Sequence, residues 1–146
     1  MIKAVLDTNT LVSALLKPEG PSGQIFQRWR TGEFELAVST ATLSELSEVL
    51  YRPRIIKKYP VSEQDIRRHL DVLSRFAEVA PGALALDVVK NDPLDNHVLA
   101  AAVETKSAYA VSGDHHLLDM VEFQGIKILR PREFLSLLEA IVSADR

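Results

Sequence analysis

The sequence predicts an α/β domain built on a parallel β-sheet with helices on both faces. Short apolar runs alternate with helix-patterned segments along the 146 residues. This alternation is typical of parallel strands joined by crossover helices. No internal repeat, low-complexity tract or linker interrupts the pattern, and the length suits one domain. We therefore expect a single domain over residues 1–146.

The strands are predicted from short, mostly apolar runs. Such runs are typical of parallel strands that are buried on both faces. The runs are Ile2 to Leu6, Phe34 to Ser39, Ala108 to Ser112 and Ile126 to Leu129.

The helices are predicted from helical spacing of apolar residues together with cap and stop residues. Ser62 with Asp65 three residues later resembles a capping box, and Pro131 suits the first turn of the last helix. The polar stretch from Lys90 to Pro93 is predicted to be a loop. The predicted helices are Thr10 to Leu16, one capped by Ser22 and ending near Gly32, Thr40 to Tyr51 stopped by Pro53, one begun by Ser62, Leu94 to Thr105, and Arg132 to Val142.

The composition excludes several classes of protein. Hydrophobic residues make up 47% of the chain and charged residues 25%, so the chain can bury a core and is not disordered. Because there is no cysteine, disulfides, thiolate metal sites and cysteine nucleophiles are excluded. No apolar run is long enough for a signal peptide or a membrane span. We expect a cytoplasmic protein that has no membrane partner.

Two acids follow predicted strands, and two more lie on adjoining helices. Asp7 comes directly after the first strand, and Asp114 follows the third strand through Gly113. Glu45 lies on the helix after the second strand, and Asp95 lies in the first turn of the helix before the third. Ligands of open α/β sheets bind beyond the carboxyl ends of the strands. We therefore expect the four carboxylates to meet at one edge of the sheet.

Four carboxylates in one place repel one another unless a cation compensates their charge. Mg²⁺ and Mn²⁺ prefer oxygen ligands, and such an ion activates water and neutralises charge on a transferring phosphoryl group. The formal net charge of −3 argues against a strong, non-specific DNA coat protein. If the four acids are counted as metal ligands, the formal charge of the remaining residues is slightly positive. The net charge therefore does not exclude a phosphodiester substrate.

Each acid also has a purely structural interpretation. Asp7 and Asp95 suit helix caps or the N-terminal ends of helix dipoles. Asp114 suits a turn after Gly113, and Glu45 suits a solvated helix surface. Composition and spacing alone leave both interpretations open.

Several sequence strings carry a resemblance to a known family. They are Val-Leu-Asp-Thr-Asn at 5–9, Val-Ser-Thr-Ala-Thr-Leu-Ser-Glu-Leu at 38–46, Asp-Pro-Leu-Asp-Asn-His at 92–97, Val-Ser-Gly-Asp-His-His at 111–116 and Ile-Leu-Arg-Pro-Arg-Glu-Phe-Leu at 128–135. In this order, the sequence resembles the PIN-domain family over nearly its whole length. The resemblance is closest to the VapC-like ribonucleases, a branch described as toxin components of toxin–antitoxin pairs.

The resemblance implies a three-layer α/β/α sandwich around a mostly parallel, roughly five-stranded sheet. It also implies a Mg²⁺- or Mn²⁺-dependent ribonuclease with an RNA substrate and a small antitoxin protein as partner. The family's four acids are matched, in order, by Asp7, Glu45, Asp95 and Asp114. In the family, further residues support the metal cluster by hydrogen bonding, and these are matched by Asn9 and Ser112.

Some positions depart from the family's pattern. Ser112 stands where threonine is commoner and keeps the hydroxyl. His116 stands where this branch often has an acid, so a fifth acidic ligand is in doubt. Asp92 is an additional acid, which we interpret as either an outer ligand or a loop residue before Pro93.

A basic stretch flanked by Tyr51 and Tyr59 is a candidate RNA-binding surface. Cationic side chains grip phosphates, and an aromatic ring can stack on a base. A solvated, proline-bounded loop is the alternative. Apolar residues of the last helix, such as Leu135 and Leu138, suit antitoxin docking, a homo-oligomer interface or internal packing. The candidate RNA-binding residues are Arg52, Arg54, Lys57 and Lys58.

We interpret the reaction as hydrolysis of RNA by a metal-activated water. Asp7, Asp95 and Asp114 are expected to hold one metal. Glu45 is expected to help a second metal or to position the attacking water. The alternative is a catalytically silent RNA- or protein-binding module of the same fold. A phosphatase with an aspartate nucleophile is disfavoured, because its motif needs a second acid where Asn9 stands.

Overall fold

The computed structural model describes residues 1–89 and 92–144. Lys90 and Asn91 of the predicted polar loop lie outside the described residues. In the described ranges, no helix combines the length and the apolar character that crossing a bilayer requires.

The middle layer is a six-stranded sheet in the order β3-β2-β1-β4-β6-β5. All neighbouring strands run parallel except β5, which pairs antiparallel with β6. Strands β2 and β3 are added on one side of β1, and β4 is then added on its other side. The direction in which the sheet grows therefore reverses between β1 and β4. The strands are β1 (Lys3–Leu6), β2 (Glu35–Val38), β3 (Glu78–Val79), β4 (Tyr109–Val111), β5 (Glu122–Phe123) and β6 (Ile126–Leu129).

Helices cover both faces of the sheet, which confirms the predicted three-layer α/β/α sandwich. Helix α6 contacts the central strands β1, β2 and β4 on one face, whereas α8 contacts β6. The helices are α1 (Thr8–Leu16), α2 (Pro21–Arg30), α3 (Thr40–Leu50), α4 (Pro53–Lys58), α5 (Glu63–Phe76), α6 (Pro93–Glu104), α7 (His115–Leu118) and α8 (Pro131–Ala144).

The two faces bury separate hydrophobic cores. Along β1, Ala4 and Leu6 point into the core that contains Leu11 of α1 and Leu46 of α3. Val5 points into the opposite core with the alanine-rich helix α6. This alternation follows from the two-residue period of a strand. It also explains why the central strands are mostly apolar, since both faces of the sheet are covered.

Several element boundaries differ from those predicted. Ser22 was predicted to cap α2, but the N-cap is Gly20, because Pro21 takes the first helical position. Pro53, predicted to stop a helix, also begins α4 for the same reason. The sheet has six strands rather than about five. The additional short elements β3, β5 and α7 span too few residues to show a period in the sequence.

Other predicted boundaries are confirmed. The capping box of Ser62 and Asp65 is present with both of its hydrogen bonds. Pro131 is the first residue of α8. These signals are reliable because the atoms that make them lie within one turn of the chain.

Candidate metal centre

The four predicted acids line one cleft at the carboxyl edge of the sheet, where β1 and β4 end. The cleft has an empty volume of about 310 Å³. It lies where the strand order reverses, which is the usual ligand position in open α/β sheets. Its lining residues are Asp7, Thr8, Asn9, Glu45, Asp92, Leu94, Asp95, Val98 and Asp114.

Asp7 is held rigidly at the start of α1. Its Oδ1 accepts hydrogen bonds from the Thr10 backbone N–H at 2.9 Å and from the Thr10 hydroxyl at 2.6 Å. Its Oδ2 accepts a hydrogen bond from the Ser112 hydroxyl at 2.5 Å. Burial raises the pKa of Asp7 above its usual value, although the hydrogen bonds from Ser112 and Thr10 oppose the rise. The predicted cap of α1 and the predicted metal ligand are therefore the same residue.

Ser112 connects the two strand-end acids. Its side chain is fully buried at the end of β4. The hydroxyl donates to Asp7 and accepts a hydrogen bond from the backbone N–H of Asp114 at 2.9 Å. A side chain that orients a ligand in this way fixes the geometry of a metal site.

Ser112→Ala is expected to weaken metal binding about 10- to 100-fold, as losses of such orienting groups usually do. The alanine leaves Asp7 Oδ2 without its donor and the Asp114 N–H without its acceptor. Isothermal titration with Mn²⁺ measures the change. Ser112→Thr, which keeps the hydroxyl, should bind far more tightly than Ser112→Ala. Ser74→Ala, which removes an exposed hydroxyl on α5, is the matched control. Equal affinities for Ser112→Ala and the unaltered protein would contradict this role.

Asp114 begins the short helix α7 beside two histidines. Its Oδ1 accepts the His116 backbone N–H at 2.8 Å. Partial burial raises the pKa of Asp114, but hydrogen bonds from His116 and from the Asp92 and Asp95 carboxyls outweigh burial and lower it. The centroids of the His115 and His116 rings lie 4.1 Å apart, with the rings tilted, and His115 Nδ1 lies 4.0 Å from Asp114 Oδ1. Asp114 therefore ionises more readily than Asp7 or Asp95, whose pKa values are raised.

Asp95 is the least satisfied acid of the cleft. Its side chain is 4% exposed, and its buried Oδ2 has no hydrogen-bond partner in the part of the chain that is described. Burial raises the pKa of Asp95 to about 8, with further contributions from the charges of Asp92, Asp114 and Asp7. An unpaired buried polar atom is costly and rare. A ligand that supplies positive charge is the natural partner for this oxygen.

The carboxylates fit a hard divalent cation. One carboxylate oxygen from each of Asp92, Asp95 and Asp114 lies within 4.8 Å of the other two. Asp92 also caps α6, where its side chain accepts the Leu94 N–H at 3.1 Å. An all-oxygen set with an unpaired buried member suits Mg²⁺ or Mn²⁺. This all-carboxylate group therefore contains Asp92, whose two predicted roles, a structural loop position and an outer ligand, are compatible.

Two other predicted site residues, Glu45 and Asn9, line the cleft but are not part of the group of three close carboxylates. Glu45 is half-buried on α3 and lines the cleft. Asn9 also lines it but is exposed, and the side-chain hydrogen bonds to Asp7 in the described chain come from Thr10 and Ser112. Thr10 was missed by the sequence analysis. Its signal is its position, since the third helical residue commonly donates to the N-cap side chain.

The predicted basic stretch is helical and exposed. Arg52 lies 3.7 Å from Glu48, and Lys58 lies over the Tyr59 ring at 5.6 Å. The loop alternative for this stretch is wrong over 53–58, because Pro53 begins α4. The exposed cations are Arg52, Arg54, Lys57 and Lys58.

The fold and the cleft define a class of protein, a doubly wound α/β domain with carboxylates at the switch point of its sheet. Residues 3–116 match the PIN domain family, so the chain belongs to the PIN domain family. PIN domains are generally nucleases, and PIN nucleases generally use divalent metals.

Similar proteins cover almost the whole chain. The uncharacterized protein MJ1680 of Methanocaldococcus jannaschii is 26% identical over 150 residues, covering 97% of this chain and 95% of that protein. PAE2754 from Pyrobaculum aerophilum has a TM-score of 0.63 at 18% identity, covering 95% of this chain and 90% of its own. VapBC2 from Rickettsia felis, whose crystal structure holds a DNA fragment of the VapBC2 promoter, has a TM-score of 0.56 at 14% identity. That match covers 88% of this chain and 98% of the VapBC2 chain. The two structural likenesses support the fold alone.

Proposed function

We propose that the protein is a Mg²⁺- or Mn²⁺-dependent endoribonuclease of the VapC-like kind, the toxin of a toxin–antitoxin pair. The observation that carries the proposal is the buried, unpaired Oδ2 of Asp95 in a cleft lined by four further carboxylates. Acids that only capped helices would not need a cation. This arrangement does, because its charges are close together and partly out of water.

The chain's own residues have separate roles in the proposed reaction. Asp95 and Asp114 present oxygens to the cation, and Asp7 is oriented toward the cleft by Thr10 and Ser112. Glu45 orients the attacking water or supports a second cation. When bound, the cation activates water and offsets the negative charge that grows on the phosphoryl oxygens.

The proposed reaction is hydrolysis of a phosphodiester bond. The water oxygen forms a bond to phosphorus, the bond from phosphorus to the 3′ oxygen breaks, and that oxygen takes a proton. The products carry 5′-phosphate and 3′-hydroxyl ends. No step uses the 2′-hydroxyl of the RNA as a nucleophile.

The partners we propose are an RNA strand and a small antitoxin protein in the cytoplasm. The exposed cations of α4 supply a phosphate-binding surface beyond the helix that carries Glu45. The name of the similar structure, VapBC2 from Rickettsia felis, suggests the kind of partner that we propose. We also propose that the chain forms a homodimer or higher homo-oligomer. Leu135 and Leu138 of α8 are buried in the domain core, so the interface would use other residues.

The test is cleavage of total RNA with Mn²⁺, with excess chelator, and with variants. Asp7→Asn and Asp114→Asn are each expected to lower cleavage at least about 100-fold, because a lost ligand costs more than a lost supporting group. Asp71→Asn, on the exposed face of α5, is the control of equal charge change and should cleave normally. Thermal melting checks that each variant folds. Metal binding without cleavage of any RNA would favour the catalytically silent module.

A further inference from the structure

A second pocket is lined by Gly113, the residue that precedes Asp114 of the acid cleft. It has an empty volume of about 750 Å³ and is lined by three basic side chains. No acidic side chain is among its described lining residues. We call it the basic pocket, defined by Lys17, Ser22, Gly113, Arg130 and Arg132.

Two helices begin at the basic pocket. Pro21 is the first residue of α2 and Pro131 is the first residue of α8, and both prolines line it. The N-cap of α2, Gly20, makes no side-chain hydrogen bond to the helix. The first N–H groups of a helix have no partner within the helix, and the helix dipole places partial positive charge there. Both helix ends therefore favour an anion.

Ser22 supplies an independent sign of a ligand. The residue as a whole is 7% exposed, and its hydroxyl makes no hydrogen bond with residues 1–89 and 92–144. Ser22 lines the basic pocket, and its oxygen is not among the fully buried unpaired atoms, so the hydroxyl is open to the pocket. A polar group of a mostly buried residue usually has a hydrogen-bond partner in the native state. A phosphate oxygen in the pocket would accept its hydrogen bond.

The charges of the basic pocket are largely uncompensated. Arg130 lies 3.8 Å from Glu133, whose Oε1 also accepts the Arg130 backbone N–H. Lys17 and Arg132 form no ion pair with any described residue. The basic pocket therefore keeps two cations, Lys17 and Arg132, that can neutralise the negative charge of a phosphate.

The position of the basic pocket relates it to the acid cleft. Gly113 lines the basic pocket, and the next residue, Asp114, lines the cleft. Consecutive Cα atoms are only about 3.8 Å apart. An RNA strand that lay across Gly113 with its scissile phosphate at the cleft would place a neighbouring phosphate at the basic pocket.

We propose that the basic pocket binds an internal phosphate of the RNA strand, next to the phosphodiester bond that is cleaved. The proposal rests on the proposed nuclease function for its choice of ligand. The pocket would fix the position of the strand relative to the carboxylates. A terminal phosphate or free phosphate shares the same chemistry, so the experiment below separates these sources.

The experiment measures binding rather than cleavage. The probe is a fluorescently labelled single-stranded RNA of about ten nucleotides, with a 5′-hydroxyl in one arm and a 5′-phosphate in the other. Fluorescence anisotropy is recorded with chelator present, so that no strand is cut. The double variant Lys17→Gln with Arg132→Gln is compared with Arg68→Gln with Arg75→Gln, which changes the net charge equally on the exposed face of α5. Thermal melting verifies folding.

The pocket variant is expected to bind the 5′-hydroxyl RNA about tenfold more weakly than the control variant. The slope of log binding constant against log salt should fall by about 1. Equal binding by the two double variants would overturn the proposal. A loss seen only with the 5′-phosphate strand, or full competition by millimolar inorganic phosphate, would also overturn it, because the ligand would then be a terminal or free phosphate.

This outcome is separable from that of the nuclease proposal. If the protein binds RNA through the basic pocket but cleaves no RNA with Mn²⁺, the proposed nuclease activity is wrong and the proposed phosphate site stands. If the protein cleaves RNA but the two double variants bind RNA equally, the proposed nuclease activity stands and the proposed phosphate site is wrong. A second variant, Ser22→Ala, removes only the hydroxyl and should weaken RNA binding without changing the salt slope.

Discussion

Asp95→Asn is expected to abolish metal-dependent cleavage and, at the same time, to stabilise the metal-free protein. The asparagine cannot ionise, so it offers the cation no negative oxygen, and cleavage should fall at least about 100-fold. It also removes a buried charge that Asp92, Asp114 and Asp7 repel. A functional residue often costs stability in this way, because its site is built for a ligand.

The gain in stability has a defined pH dependence. The pKa of Asp95 rises from 3.8 to about 8 in the folded chain, so the folded state binds more protons than the unfolded state between these values. The free energy of unfolding that Asp95 contributes is therefore fully present at low pH and is lost as the pH rises toward about 8. Asp95→Asn should flatten this decline.

Chemical unfolding with chelator, between about pH 5 and pH 8, measures the effect. At the upper end we expect Asp95→Asn to exceed the unaltered protein by about 1–2 kcal/mol, less than the full pKa shift implies, because the open cleft lets water screen the charges. Asp71→Asn, whose partner Arg75 is exposed, should show no such gain. A lower stability of Asp95→Asn at the upper end would contradict the account.

Metal binding is expected to release about one proton per cation near pH 7. The Asp95 carboxyl, with its pKa at about 8, is mostly protonated there and must lose its proton to become a ligand. The apparent affinity for Mn²⁺ should rise up to about tenfold per pH unit below that pKa and then level off.

Calorimetric titration in two buffers with different ionisation enthalpies counts the released protons. Asp95→Asn should release fewer protons at the same pH, which separates this carboxyl from the others in the cleft. Mn²⁺ affinity that is independent of pH across this range, with no proton released, would show that Asp95 is already ionised in the metal-free protein.

The fold was largely predictable because its signals are local or periodic. The runs from Ile2 to Leu6 and from Ile126 to Leu129 are apolar except for one lysine each, and both form strands. The capping box at Ser62 was predictable for the same reason. By contrast, β3 spans two residues, and its pairing depends on where β2 lies rather than on its own sequence.

The candidate site was predictable in its members but not in its internal geometry. The order of strands and helices was enough to bring Asp7 and Asp114 to one sheet edge. The closeness of Asp92 to Asp95 depends on how α6 meets the cleft, and the orphaned oxygen of Asp95 depends on packing. Neither has a sequence pattern. Thr10 was missed because a threonine at that position is also common in ordinary helices.

The most direct test of the central claim is the chemistry of the ends left on a defined RNA after incubation with Mn²⁺. The account predicts 5′-phosphate and 3′-hydroxyl ends, formed only with metal and lost in Asp7→Asn. This result follows from water attack at phosphorus within a carboxylate cleft. Ends carrying 2′,3′-cyclic phosphate, or equal cleavage in excess chelator, would contradict the account.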